Sequence, residues 1–427
     1  MINANFFGPA HTALSRYHAP ETGSEVAMVA PLEGIRVIEI ANYVAGPSVG
    51  ALLRDLGADV IKVEPPGGEA MRTVIPPRPD GTPSLNFLFE LENRGKRSVT
   101  IDLTAPGAPD VIHEMLSRSD ILLTNLVASR QRRFTLDAAS VHARNPHVVH
   151  VSVTGYGTDG PEADRPAFDF AAFWARSGIM GLMGHPGSPP VISRIAQGDH
   201  TTGINGLAAT LAALRVRDMT GKGQVVDVSL QQTGVYTIAT DVARTLVTGK
   251  QPPRFDRTRP ENPLFNTYET ADSDWIMLVH MTPDPYWPKL CAAIDEPELA
   301  EDRRYATMDG RRQHGELLFQ RIQARFRARP MAHWSQKLDE HGLIWAPMVQ
   351  VTEVVQDPQL RHVGAFQAVD HELGRFETVG TPFRIEGADI TVRGPSSPVG
   401  ADTEAVLREL GIDEARVADL AAAGAFG

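Results

Sequence analysis

Cysteine is almost absent from this chain of 427 residues, where Cys291 stands alone. One thiol excludes an intrachain disulfide framework and any cysteine-rich zinc or iron–sulfur site, and it suits a reducing cytoplasm. No apolar run reaches the length of a bilayer crossing. The first 30 residues hold His11, Arg16, His18 and Glu21 without an apolar stretch, so they read as a loose extension and not as a secretory signal. Basic residues are in deficit, 41 Lys and Arg against 52 Asp and Glu. The formal charge of −11 argues against a non-specific nucleic-acid binder. Repeats and low-complexity tracts are missing. So are HExxH, GxSxG and a Walker loop, and AGPSVG follows the first apolar run where GxGxxG would mark a dinucleotide site.

With 42 % hydrophobic and 22 % charged residues, the chain can bury a full core, and its length suggests two or three lobes. Residues 35–41, 59–63, 98–103, 120–126 and 147–153 are short β-branched runs that read as buried strands. Helical patterns separate them; after the first, Val49, Leu52, Leu53 and Leu56 share one face, with Pro47 in the first turn and Gly57 past the end. Such alternation predicts a doubly wound, Rossmann-like α/β domain with parallel pairing. Its ligand site belongs beyond the carboxyl ends of the strands, where residues 42–47, 64–72, 125–133 and 154–169 gather. The expected divisions are an extension over 1–30, the large α/β domain over 31–200 and a helical linker over 201–263. A smaller α+β domain over 264–350 and a return to the large domain over 351–427 complete the chain.

Basic residues cluster beside several strands: Arg94, Lys96 and Arg97 in NRGKRS, then Arg72, Arg130, Arg132 and Arg133. In an acidic protein this suggests a rim for an anionic ligand. Asp169 stands directly ahead of a short helix among Phe168, Phe170, Phe173 and Trp174. Capping that helix is one reading of it. The same position would keep the carboxylate ionised in apolar surroundings, fit to attack an activated acyl group. Cys291 reads as packed in a helix, and His142, His147 and His150 as structural or surface residues, so no metal site is expected.

Several long motifs carry a resemblance. GIRVIEIANYVAGP, LLRDLGADVIKVEPPGG, NRGKRSVTIDL, NPHVVHVSVTGYGTDGP and ALRVRDMTGKGQVVDVSL, followed by DPQLRHVGAF, TPFRIEG and PVGADTEAVLRELG, are similar to the class III coenzyme A transferases, the CaiB/BaiF family. The likeness spans roughly residues 31–427. It implies a cytoplasmic, interlocked homodimer that takes an acyl-CoA and a carboxylic acid, with no nucleic acid, membrane or metal involved. It also implies that Asp169 is the nucleophile, passing through an acyl anhydride and an aspartyl-CoA thioester. Coenzyme A would lie against the large lobe, along Tyr43, Val44, Ala45, Arg72, Asn93, Lys96, Arg97 and Arg133.

Two departures stand out. The glycine run of the formyl-CoA transferases is missing from RPENPLFNTYETADSDW, and Asp402 replaces a family histidine. The first, with the bulky residues Phe168, Phe170, Trp174, Met180 and Met183 near Asp169, favours a medium-sized apolar or aromatic acid over formate or oxalate. Two alternatives stay open. One is an α-methylacyl-CoA racemase, with His142 as partner base and Ala167-Phe168-Asp169 in place of Gly-His-Asp; the other is a non-catalytic CoA-binding protein.

Overall fold

The computed structural model describes residues 28–426, so most of the expected N-terminal extension lies outside the described residues. Six parallel strands form the main sheet: β1 (Arg36–Ile40), β2 (Asp59–Glu64), β3 (Arg97–Thr100), β4 (Ile121–Thr124), β5 (Val149–Thr154) and β6 (Val225–Ser229). Their spatial order is β3-β2-β1-β4-β5-β6. The two halves wind outward from β1 and β4, which pair in register from Val37↔Ile121 to Ile40↔Thr124. This is the doubly wound arrangement expected from the alternating pattern, with the switch point between β1 and β4. Apolar side chains of both sheet faces are buried, Ile38, Ile61 and Leu122 on one and Val37, Val60 and Leu123 on the other.

Helices α1 (Ala45–Asp55), α2 (Phe87–Asn93), α3 (Ala108–Leu116), α4 (Ala128–Arg133) and α5 (Ala138–Arg144) follow the first four strands. A π-helical turn, Phe170–Ala175, and the short α6 (Ile179–Leu182) come after β5. Next is α7 (Gln197–Thr220), which lies along α1. Small residues allow that approach: a Cβ on Gly203 would strike Ser48, and one on Gly206 would strike Val49. β6 pairs with β5, so the segment expected to be a helical linker contributes both α7 and an edge strand to the large lobe. Helix α8 (Leu230–Thr237) packs on α7 and the π-helical turn, and after a break at Ile238 helix α9 (Ala239–Thr248) follows with no buried residue.

The smaller lobe is built on an antiparallel sheet, β7 (Phe265–Glu269), β8 (Trp275–Val279) and β9 (Trp345–Pro347). Trp287, Trp334, Tyr268 and Phe326 fill its core together with Cys291. Burial pushes the Cys291 thiol up to about 12, in keeping with a packed and unreactive side chain. The tail then returns to the large lobe. Asp402 accepts the Ser98 N–H at 2.8 Å and Thr403 the Thr100 N–H at 3.0 Å, closing the free edge of β3. Val406, Leu407 and Leu410 join the sheet core behind it. Among the described residues no helix is long and apolar enough to cross a membrane.

Candidate active site

The carboxyl ends of β1 to β4 open into two adjoining recesses that share Asn42. The first, about 120 Å³, runs along Val63, Glu64, Asp102, Leu103, Leu126 and Arg130. The second, about 90 Å³, is walled by Tyr43, Val44, Ala45, Phe168 and Asp199. A reciprocal pair holds the loops after β1 and β4 together at the switch point. The Asn42 N–H donates to Asn125 Oδ1 at 3.1 Å, and Asn125 Nδ2 donates back to the Asn42 carbonyl at 2.7 Å.

Asp169 directly follows Phe168 of the second recess's wall and is buried, 4 % exposed. Its backbone is helical, and its side chain does not cap the π-helical turn that follows. The expectation of a cap is therefore corrected: the turn swings the carboxylate toward the first turn of α7 instead. There Gly198 has no Cβ, and one would collide with Asp169 Oδ1. Among the described residues Asp169 is the one carboxylate with both oxygens buried and neither hydrogen-bonded. Desolvation holds its pKa above the usual carboxylate value. The Trp174 indole and the amides of Gly198 and Ala196 oppose that shift without closing hydrogen bonds in good geometry on either oxygen. Ala196 takes a left-handed conformation, φ 66°, which aims the start of α7 at the acid.

Two neighbours in α7 were not singled out from the sequence. Asp199 is pushed up to about 7, by burial first and by the charge of Asp169 second. His200 Nε2 lies 2.7 Å from Glu92 Oε1, and that carboxylate raises the imidazole pKa. Nothing in the sequence marks this pair, because Glu92 and His200 are 108 positions apart.

The expected basic rim is not assembled at this edge. NRGKRS precedes β3, so its charges lie at the amino end of that strand or beneath α1. Lys96 is buried, its ammonium 2.7 Å from Glu39 and donating to the Pro47 carbonyl at 2.8 Å. Asn93 is buried beside it and accepts from Lys96 at 3.1 Å. Arg97 pairs with Asp59 and with Glu409 at 2.7 Å. Arg72 is tied to Glu64 by two bonds of 2.7 Å and to the Ser397 carbonyl. Arg133 is exposed and stacks on Phe134. Arg130 is the arginine that lines the first recess, and it has no ion-pair partner among the described residues.

The aromatic wall is likewise smaller than expected. Tyr43 and Phe168 meet edge to face, 5.3 Å between ring centroids, at the mouth of the second recess. Phe170, Met180 and Met183 pack on the large-lobe core, and Trp174 is buried beside Phe173. His142 Nε2 is bound to the Val148 carbonyl at 2.9 Å, before β5 and away from Asp169. Among the described residues no group of three or more His, Cys, Asp and Glu side chains is placed to hold a metal ion.

Fold and cleft together define a doubly wound α/β protein with recesses at the switch point and a buried, unpartnered carboxylate beside them. The chain belongs to CoA-transferase family III, whose family model matches residues 32–403. It is 30 % identical over 391 residues to the (R)-2-hydroxy-4-methylpentanoate CoA-transferase of Clostridioides difficile, covering 90 % of this chain and 97 % of that protein. It is also 30 % identical over 390 residues to the succinate–glutarate CoA-transferase of Agrobacterium fabrum, covering 89 % and 96 %. A crystal structure of a CaiB/BaiF family protein from Brucella suis superposes with a TM-score of 0.78 at 31 % identity, covering 90 % of this chain and all of that one. The protein is thus an enzyme that transfers coenzyme A, and its mixed α/β fold with a six-stranded parallel sheet matches that of solved relatives.

Proposed function

We propose that this enzyme moves coenzyme A from an acyl-CoA to a medium-sized carboxylic acid with an apolar or aromatic body, using Asp169 as the nucleophile. The buried, unpartnered carboxylate of Asp169 carries the reading. A carboxylate without hydrogen bonds has lost the solvation that normally blunts it, and a thioester is already activated. An Asp169 oxygen attacks the thioester carbonyl, the C–S bond breaks and the CoA thiolate leaves an aspartyl–acyl anhydride. The thiolate returns to the aspartyl carbonyl and expels the donor acid as its carboxylate. The acceptor carboxylate then attacks the carbonyl of this aspartyl-CoA thioester, the C–S bond breaks, and the CoA thiolate leaves a second anhydride. Thiolate attack on the acceptor carbonyl yields the new acyl-CoA and restores Asp169. Charge developing on carbonyl oxygen in each step lies near the Trp174 N–H and the amides opening α7, which are fixed in advance.

In this reading the phosphates of the ester lie by Arg130 at the first recess and its acyl end by Tyr43 and Phe168 at the second. The two named relatives act on a branched hydroxy acid and on dicarboxylates. Tyr43 and Phe168 favour the first kind of body here, since both rings are exposed at the mouth. Assembly as a homodimer is part of the proposal. Helix α9 has no buried residue, and Leu246 and Val247 on it are 82 % and 87 % exposed, apolar surface that a second copy would cover.

Asp169→Ala tests the reading. It should abolish transfer while keeping the fold and the affinity for CoA, and an Asp169 adduct trapped by hydroxylamine should disappear from the mass spectrum. Retained transfer in that variant would refute the nucleophile. Light scattering of the purified protein checks the dimer.

A further inference from the structure

The turn from β1 into α1 places a strained residue against the acyl recess. Tyr43 has φ 63°, a left-handed conformation that a bulky side chain adopts only at a cost. Its N–H donates to Glu69 Oε2 at 2.7 Å. The other Glu69 oxygen lies 2.8 Å from Lys62 Nζ, and Lys62 lies 3.0 Å from Glu39, whose second oxygen is 2.7 Å from Lys96. A row of four buried charges, Lys96, Glu39, Lys62 and Glu69, therefore runs beneath β1 and ends on one backbone amide. Desolvating such a row is costly, and apolar residues of the same volume often serve stability as well. What the row adds is a fixed acceptor at the turn. The amide it holds belongs to the residue whose ring meets Phe168, the neighbour of Asp169.

We infer that Glu69 is a positioning residue for acyl transfer: it keeps the turn left-handed and so sets the Tyr43 ring against Phe168 over the recess. The inference rests on the reading of Asp169 as nucleophile. If Glu69 served only to neutralise Lys62, a carboxylate one methylene shorter would suffice, but it could not also span to the Tyr43 amide. The experiment compares Glu69→Asp, Tyr43→Ala and the double variant with wild type, measuring kcat and KM for the acceptor acid and Kd for CoA. In the wild-type background Glu69→Asp should lower kcat/KM about ten-fold with CoA affinity unchanged. In the Tyr43→Ala background the same change should matter less than about two-fold, because the ring it places is gone. A wild-type rate for Glu69→Asp, or an equal loss in both backgrounds, would overturn the inference. Should Glu69→Asp not fold, Tyr43→Pro removes the amide proton and forbids a positive φ while leaving Glu69 and Lys62 paired. Because neither variant carries the ring that Glu69 places, it must then match Tyr43→Ala within about two-fold, and a larger loss overturns the inference. Asp169→Ala runs in parallel. Activity in that variant defeats the functional reading itself, whereas an inert Asp169→Ala with indifferent Glu69 variants defeats only the positioning role.

Discussion

Gly198 vacates the space that the Asp169 carboxylate occupies. A Cβ on Gly198 would fall well inside van der Waals contact with Asp169 Oδ1 and with the Phe173 ring. The acid is thereby pressed onto the first turn of α7, whose amides it faces, instead of onto its own helix.

Gly198→Ala should therefore damage activity more than stability. The new methyl group must push the carboxylate aside, because Phe173 is buried on the other side. A displacement near 1 Å can cost on the order of 10²-fold in rate, while overpacking of this kind costs roughly 1–3 kcal/mol of stability. Single-turnover rates and urea melts of the variant measure both. Full activity would mean that the placement of the acid against α7 is irrelevant to transfer.

Much of the fold was legible because its strands are unbroken apolar runs. IRVIEIA and HVVHVSV can only be buried strands, and short helices between them force parallel pairing. NRGKRS does not line the recesses for a reason also written in the sequence: it precedes its strand, and so it lies at the opposite end of the sheet from them. What no linear pattern reveals is that Glu39 waits beneath α1 to neutralise Lys96, 57 positions away. Asp169 stood out through its neighbours and the family likeness, but whether its side chain caps the following turn stayed open, and the structure sets it against α7 instead. Asp199 and the Glu92–His200 pair gain their meaning only from the docking of α7 against α1 and the π-helical turn.

Asp199 gives the stability of the protein a definite pH dependence. Its pKa rises from 3.8 to about 7 on folding, through burial and through Asp169. The folded state thus holds a proton that the unfolded chain releases, and stability contributed by this group falls as pH climbs from about 4 to about 7. Asp169, also raised, and His200, whose folded pKa lies above its unfolded one, act in the same direction as pH rises. In Asp199→Asn the first contribution is removed, so the difference in melting temperature from wild type should grow in favour of the variant between pH 5 and pH 8. A constant difference across that range would show that Asp199 titrates normally.

Lys96 and Arg130 should trade the roles that charge alone suggests. Lys96→Ala leaves Glu39 with Lys62 as its remaining buried counter-ion and should cost about 3 kcal/mol of stability. At a temperature where the variant stays folded, its affinity for CoA should be close to wild type. Arg130→Ala should leave the melting temperature unchanged, because the side chain is exposed and unpaired among the described residues, and should weaken CoA binding in a salt-sensitive way. Calorimetric titration of both variants decides the matter, and weaker CoA binding by Lys96→Ala alone would reverse the assignment.

The choice of acceptor acid should be read most clearly at Phe168. This ring is 62 % exposed, yet it stands edge to face with Tyr43 over the second recess, an apolar lip for the acid under the proposed reading. Each methylene buried against such a lip is worth about 0.8 kcal/mol, roughly four-fold in kcat/KM if the contact persists in the transition state. Specificity should accordingly climb from acetate through branched to aryl and hydroxyaryl acids. Phe168→Ala should flatten that climb and leave the rate with acetate nearly untouched, because acetate does not reach the lip. Phe170→Ala should instead lower stability without changing the order of acids, since Phe170 packs on the core. The measurement is a panel of acids against one acyl-CoA donor, with products followed by mass spectrometry. A preference for formate or oxalate over every branched and aryl acid would contradict the proposed acceptor class, and an unchanged gradient in Phe168→Ala would remove the lip as its cause.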